Sequence, residues 1–309
     1  MKDRVFVTGG SGFVGSAVIA ELLSRDRCVN ALTHRGKLKA DGSRARVIAG
    51  DLFNTAALDE GMRDCQTVIH LVGIIRERPS EGITFERTHY EGAKNVIEAA
   101  KRNGVWRFIL MSALGTRPGA VSRYHRTKYQ AEQHLMRSGL DWTIFRPSLI
   151  HGPGGEFMQM EAGWARGRKP PFLFMPYFGG GLLGRGGAGQ VQPVHVTDVA
   201  RAFVDAMDNS KAVGEIYPLA GSQRLTWPQM HRIAAQAIAG KSRPVLAIPA
   251  WYAKALTYVV PPGLLPFNRD QVIMGREGSI ADVSKFIADF GWEPAGFEQT
   301  IVQYAQQIE

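Results

Sequence analysis

Eight residues near the start of the chain, Thr8-Gly9-Gly10-Ser11-Gly12-Phe13-Val14-Gly15, restrict its fold more than any other stretch. Val5-Phe6-Val7-Thr8 before them has the composition of a short buried strand. After them Val14, Val18 and Leu22 recur four apart, the period of a helix face. A strand that turns through glycines into a helix gathers backbone N–H groups and the positive end of the helix dipole at one point. That makes a cradle for a diphosphate. Side chains at Gly9 or Gly12 would hold the phosphates away, and Gly15 lets the helix lie close to the sheet. Ser11, Phe13 and Val14 complete the turn and are expected to contact the ligand through their backbone. A dinucleotide is therefore the expected ligand.

The pattern repeats along the first half. Strands are expected at Val29 to Thr33, Arg46 to Ala49, Thr67 to Val72, Arg107 to Ser112 and Trp142 to Arg146. Helices are expected at Glu86 to Asn103 and Arg123 to Arg137. Alternating strands and helices imply right-handed crossovers and a parallel sheet covered on both faces. The expected fold is α/β, a doubly wound Rossmann-type sheet with a smaller C-terminal substrate lobe. Residues 1–150 would form the dinucleotide-binding core. Residues 151–309 would be mainly substrate lobe, with 190–220 returning to the core. Gly152 to Gly189, rich in Gly and Pro, reads as a loop over a cleft or a surface loop. Thr197 to Met207, Thr226 to Ala239 and Ala281 to Phe290 read as helices.

Cofactor choice is expected about 20 residues beyond the turn, where NAD sites place an acid for the ribose hydroxyls. This chain has Thr33-His34-Arg35 there, with Lys37 and Lys39 beyond and no acid. Arg35 can grip a 2′-phosphate and stack on adenine; a solvated basic loop is the alternative. NADP(H) is the preferred expectation, with NAD(H) left open. Asp51 is a candidate acceptor for the adenine amino group, or else a cap for a helix from Thr55 onward.

The formal net charge of +9 suits a soluble surface, an anionic ligand or an anionic membrane. The basic residues are spread along the chain, and no arginine-rich tail or zinc-finger spacing marks a nucleic-acid reader. The histidines lack metal-binding spacing, and no metal is expected. Cys28 and Cys65 read as reduced, buried residues. Strand character from Arg4 leaves no room for a signal peptide, and no run of about 20 apolar residues occurs. A cytoplasmic location, with peripheral membrane contact left open, is the expectation. Monomer and homodimer both remain open.

Further motifs lie in order along nearly the whole chain: Gly50-Asp51-Leu52, His70-Leu71-Val72-Gly73, Tyr124-x-x-x-Lys128, Arg146-Pro147, Val194-His195-Val196-Thr197-Asp198 and Phe290-Gly291-Trp292-Glu293-Pro294. With the glycine turn, these resemble the extended and atypical short-chain dehydrogenase/reductases, the epimerase/dehydratase-like group. Tyr124-His125-Arg126-Thr127-Lys128 followed by Trp142 to Ser148 is most similar to one branch. That branch holds the accessory NAD(P)H-binding subunit of mitochondrial complex I and its bacterial single-chain relatives. The resemblance implies that Leu52, Leu71, Val72, Gly73 and Pro147 line the cofactor. It implies that Tyr124 is the acid/base phenol, and that Lys128 holds the nicotinamide ribose and lowers the tyrosine pKa. Two positions depart from the pattern. Ser112 matches the residue before the family's catalytic Ser/Thr, whose slot holds Ala113 or Leu114, with Ser112 or Thr116 as substitutes. His89 stands where the family has Asn.

Three functions follow as expectations. One is an NADP(H)-dependent oxidoreductase or isomerase acting on a small, apolar, quinone- or lipid-like molecule. Another is a non-catalytic NADPH-binding sensor or assembly factor. The last is an RNA-binding member of the superfamily. The apolar, aromatic run Pro249 to Phe267 reads as core packing, an oligomer contact, or a greasy wall or interfacial patch.

Overall fold

The computed structural model describes residues 4–34, 44–260, 265 and 267–308. Arg35, Lys37 and Lys39 lie outside the described residues. The chain divides into two compact units. Unit 1 holds Met1–Pro147, Val196–Leu219 and Val283–Trp292, and unit 2 holds Ser148–His195, Ala220–Asp282 and Glu293–Glu309.

Unit 1 is built on β1 (Arg4–Thr8), β2 (Cys28–Thr33), β3 (Ala45–Ala49), β4 (Cys65–His70), β5 (Arg107–Met111), β6 (Asp141–Pro147) and β11 (Glu215–Leu219). They form one sheet in the order β11-β6-β5-β4-β1-β2-β3, every neighbouring pair parallel. The order reverses direction between β1 and β4. In such sheets the crevice beyond the carboxyl ends of the two strands at the reversal is the ligand site. Side chains alternate across each strand. Phe6, Leu32, Val68, Phe108 and Ile144 thus face a layer made by α2 (Thr55–Met62), α3 (Gly92–Arg102) and α4 (Arg123–Met136). A second layer pairs α1 (Phe13–Ser24) with α6 (Val196–Asp208).

The third segment of unit 1 carries α10 (Ser284–Phe290) and is fastened by aromatic packing. Phe286 and Phe290 stack at 4.5 Å and meet Phe145 and Tyr217 of the sheet. The Tyr217 hydroxyl donates to Asp289 and the Trp292 indole to Asp205, both at 2.8 Å.

Unit 2 contains three two-stranded pairings. β7 (Ile150–His151) pairs with β10 (Val194–His195), β9 (Gln190–Val191) with β12 (Leu225–Thr226), and β8 (Met175–Gly179) with β13 (Val245–Pro249). Its core lies among α5 (Glu156–Ala165), α7 (Trp227–Ala239) and α11 (Phe297–Tyr304). α8 (Ala250–Val259) and α9 (Arg269–Glu277) complete it. The Gly152 to Gly189 stretch, expected as loop, thus contains α5 and β8. Ala281 to Phe290 is helical only from Ser284.

Candidate nucleotide and proton-transfer site

The glycine turn has the shape its residues imply, and each glycine serves a different purpose. Gly9 leaves β1 with φ +76°, and a Cβ there would press on the Val72 backbone at 3.2 Å. Gly15 is buried in α1, where a Cβ would lie 2.0 Å from the Gly9 carbonyl oxygen. Gly12 caps α1 with extended backbone, φ −80° and ψ 175°, and any residue could adopt that conformation. A Cβ on Gly12 would meet one protein atom, the Gly9 oxygen at 3.3 Å. The protein's own packing therefore does not require glycine at 12. Ser11 and Gly12 are both exposed, so the space beside Gly12 is open to solvent. The first turn of α1 holds no acidic residue to oppose an anion.

β4 ends at His70, two residues earlier than expected, so Leu71, Val72 and Gly73 form the loop beyond the strand. That loop lies against the glycine turn: a Cβ on Gly9 would meet Leu71 and Val72, and the Leu71 N–H donates to the Thr8 carbonyl. Beneath it His70 bonds the Thr8 hydroxyl at 2.7 Å. Burial, and the nearby Lys128 charge, push the His70 pKa down to about 3, so its ring is neutral.

At the end of β3, exposed Asp51 accepts the Phe53 N–H at 2.8 Å. The cap of α2 is Asn54, which accepts from Ala57, so Asp51 is not the helix cap. Leu52 is buried, and its carbonyl accepts from the Asn95 amide. At the end of β6 the Pro147 carbonyl accepts the Leu114 N–H.

Tyr124 and Lys128 stand one turn apart on α4. Lys128 is buried, and its ammonium donates to the Met111 carbonyl at 2.9 Å, at the end of β5. A Cβ on Gly73 would sit 3.1 Å from the same nitrogen, so Gly73 roofs the lysine. Burial lowers the Lys128 pKa to about 8, against the opposing pull of Glu132. Glu132, one turn on, is fully buried and takes both arms of Arg146, Nε at 2.9 Å and Nη2 at 2.6 Å.

Tyr124 is half-buried, and its ring is edged by His89 at 5.1 Å, His125 at 5.3 Å and Phe85 at 5.8 Å. Burial among these rings pushes its pKa up to about 12. This corrects the expectation that Lys128 draws the phenol toward neutrality. Desolvation disfavours the phenolate, and the ammonium is turned to the Met111 carbonyl.

His89 is positioned by the first turns of the helix expected over Glu86 to Asn103, whose π winding no residue pattern announced. Glu86–Glu91 winds as a π-helix before α3 begins, a form concentrated at functional sites. His89 Nε2 lies 3.0 Å from the Ile74 N–H and 3.1 Å from the Ile74 carbonyl, and Nδ1 is hydrogen-bonded to the Thr127 hydroxyl at 3.0 Å. Burial, then the Lys128 charge, pushes the His89 pKa well down. Thr127, Glu132, Phe85 and the Met111 carbonyl are site groups that spacing did not single out. The i, i+4 step from Lys128 to Glu132 was a readable signal for one of them.

Ser112 is turned inward, buried, with its hydroxyl donating to that of Thr116 at 3.3 Å. Ala113 and Leu114 keep partial exposure beside it. Cys28 and Cys65 are buried free thiols, and burial raises Cys65 to about 12. Among the described residues no group of three His, Cys, Asp or Glu could hold a metal ion, and no helix is long and apolar enough to cross a membrane.

Comparison with known proteins agrees with this architecture. A family model described as NAD(P)H-binding matches residues 9–163. The chain is 29% identical over 247 residues to the ceramide reductase of Caulobacter vibrioides, covering 78% of this chain and 73% of the relative. It is 25% identical over 310 residues to the mitochondrial NADH-ubiquinone oxidoreductase 40 kDa subunit of Neurospora crassa, covering 97% and 78%. In fold it resembles the UDP-glucuronic acid 4-epimerase of Bacillus cereus, solved with UDP-glucuronic acid and NAD. The TM-score is 0.73 at 20% identity, over 98% of this chain and 99% of that one.

Proposed function

The chain belongs to the NAD(P)H-binding, extended short-chain dehydrogenase/reductase-like family, and on that premise we propose that it is an NADPH-dependent reductase of a carbonyl on an apolar, lipid-like molecule. The observation that carries the reading is the placement of Tyr124 one helical turn before Lys128, whose ammonium is held at the end of β5. A phenol keeps its proton at neutral pH, and burial favours that form here, so Tyr124 can be the proton donor that a reduction needs. Lys128, at about 8, is mostly charged there and can steady the alkoxide-side negative charge or a ribose hydroxyl.

The residues present fit a nicotinamide dinucleotide. Gly12 leaves open the space a diphosphate needs, and Gly73 makes room for the Lys128 ammonium. The bound nicotinamide would supply a hydride to the carbonyl carbon. Tyr124 gives its proton to the carbonyl oxygen. His89, through Thr127, fixes the turn of α4 that carries both residues.

The apolar substrate class rests on kinship with a protein named as a ceramide reductase and on the aromatic run of unit 2. Preference for NADPH rests on Arg35 in an acid-free window. Ser112, tied to Thr116, supports a second reading, a non-catalytic NADPH-binding role.

One experiment separates them: nicotinamide absorbance is followed with a long-chain oxo-sphingolipid, a prenylated quinone and a short ketone. The reductase reading expects NADPH consumption with the long-chain ketone, abolished in Tyr124→Phe with cofactor affinity within about twofold of the parent. Tight NADPH binding without turnover on any of the three establishes the non-catalytic reading instead.

A further inference from the structure

The outer face of α8 is inverted relative to an ordinary surface helix. Its exposed positions are Trp251, Tyr252, Ala255, Tyr258 and Val259, spaced i, i+1, i+4, i+7 and i+8, and none is charged. They occupy one arc of about 120° at 100° per residue. Tyr258 is 65% and Val259 82% exposed, while Ala253 on the opposite side is fully buried. A helix of a globular unit normally points such residues inward.

The apolar surface extends beyond the helix. The Trp251 indole donates to the Leu182 carbonyl at 3.0 Å, which joins the glycine-rich loop after β8 to the first turn of α8. The loop also lies against the residues just before the helix, where a Cβ on Gly184 would be 3.0 Å from Ala247. Leu182 and Leu183 at its tip are largely exposed.

Cations flank this surface. The Arg269 guanidinium lies 5.4 Å from the Tyr258 ring centroid. Lys254 and Arg276 line a groove between α8 and α9 with Trp251, Val272 and Ile273, and Glu277 is there too. Apart from Asp270 and Glu277 of α9, the surrounding sequence is acid-poor. Ile216 to Arg269 holds six basic residues and no acidic one, and Ala162 to Thr197 holds four and none.

We propose that α8 and the Leu182–Leu183 loop are a docking surface for an anionic lipid bilayer. Trp and Tyr rings partition to the boundary between headgroups and acyl chains, where their polar atoms stay wet. Leu182, Leu183 and Val259 enter the apolar layer just below. Lys254, Arg269 and Arg276 supply the attraction that makes the contact depend on anionic headgroups. At ten residues α8 is too short to span, so the contact is peripheral. The charge complement selects lipid over a second copy of the chain, whose matching face would bring the same cations together.

The test is flotation of the full-length protein with vesicles of phosphatidylcholine alone or with phosphatidylglycerol added. The protein floats with the phosphatidylglycerol vesicles and is released by high salt. The Trp251→Ser/Tyr258→Ser variant loses about tenfold or more in partitioning. The Lys254→Glu/Arg269→Glu variant loses the preference for phosphatidylglycerol. Both variants keep the parent's melting temperature and NADPH affinity, which separates this outcome from misfolding and from failure of the reductase reading. Parent protein that stays at the bottom at low salt overturns the proposal, as do variants that float like the parent. So does a parent dimer that Trp251→Ser/Tyr258→Ser converts to monomer without lipid, since that assigns the face to a second copy.

Discussion

The Lys128 ammonium donates to the Met111 carbonyl across 2.9 Å, so the cation of α4 is held at the end of β5. Below about pH 8 the folded chain carries a buried charge that burial disfavours, and between pH 8 and the ordinary value of 10.5 it sheds that proton while the unfolded chain keeps it. Stability from this group therefore rises with pH across that window, by about 3 kcal/mol at most. Turnover that needs the ammonium falls across the same window. Paired pH profiles of melting temperature and kcat/KM measure both, with Lys128→Met as the reference in which both trends vanish. Glu132→Gln removes the pull that raises the Lys128 pKa, so the alkaline fall in kcat/KM moves to lower pH. A limb that stays in place would show that another group titrates there.

Gly12 and Gly15 should part company under substitution. Gly15→Val drives a Cβ into the Gly9 carbonyl and costs about 4 kcal/mol or more, leaving little folded protein. Gly12→Val is compatible with its extended backbone and with its protein neighbours. It melts within a few degrees of the parent yet has no measurable nicotinamide affinity by calorimetry. Retained affinity in Gly12→Val would make the whole turn structural.

Arg35→Ala should weaken NADPH by about 1–3 kcal/mol, the usual range for a charge-assisted contact, and leave NADH nearly unchanged. Titration of both cofactors against both proteins checks this. Equal parent affinity for the two cofactors refutes the assigned preference.

In unit 2, Glu161 and His231 form a buried pair, Oε2 to Nδ1 at 2.9 Å. The opposite atoms, Glu161 Oε1 and His231 Nε2, find no protein partner among the described residues. His231→Leu alone strands the carboxylate and costs about 3–5 kcal/mol. The double change Glu161→Met/His231→Leu returns to within about 1 kcal/mol of the parent. A denaturant double-mutant cycle measures the difference, and additive losses would contradict a coupled pair.

The first half of unit 1 was legible because its signals are local. Three glycines at fixed offsets, Val14, Val18 and Leu22 on one face, and a Tyr/Lys pair four apart each report a single element. The Glu86 to Asn103 helix was legible as a helix, but its π-wound first part leaves no periodic trace. α5 stayed hidden because Gly152, Gly154, Gly155 and Gly163 interrupt the pattern that its buried Met158 and Ala162 would otherwise make. α8 escaped notice as a helix because its apolar residues mark the outer face, where periodicity is read as core. The sign of the Tyr124 shift was out of reach, since it depends on Phe85, His89 and His125 arriving from separate parts of the chain.

The three-part make-up of unit 1 also sets the order in which it can be completed during synthesis. β11 arrives only at Glu215–Leu219, and the aromatic clamp of Phe286, Phe290 and Trp292 only in the last tenth of the chain. A nascent chain halted at Pro147 has six strands, a bare sheet edge at β6, and α1 without the helix that covers its flank. Such an edge is an open template for pairing with other chains. A nascent chain that has passed the end of β6 should thus need chaperone protection until Phe286, Phe290 and Trp292 have been delivered, even though every residue of the glycine turn and the Tyr/Lys pair has long since emerged.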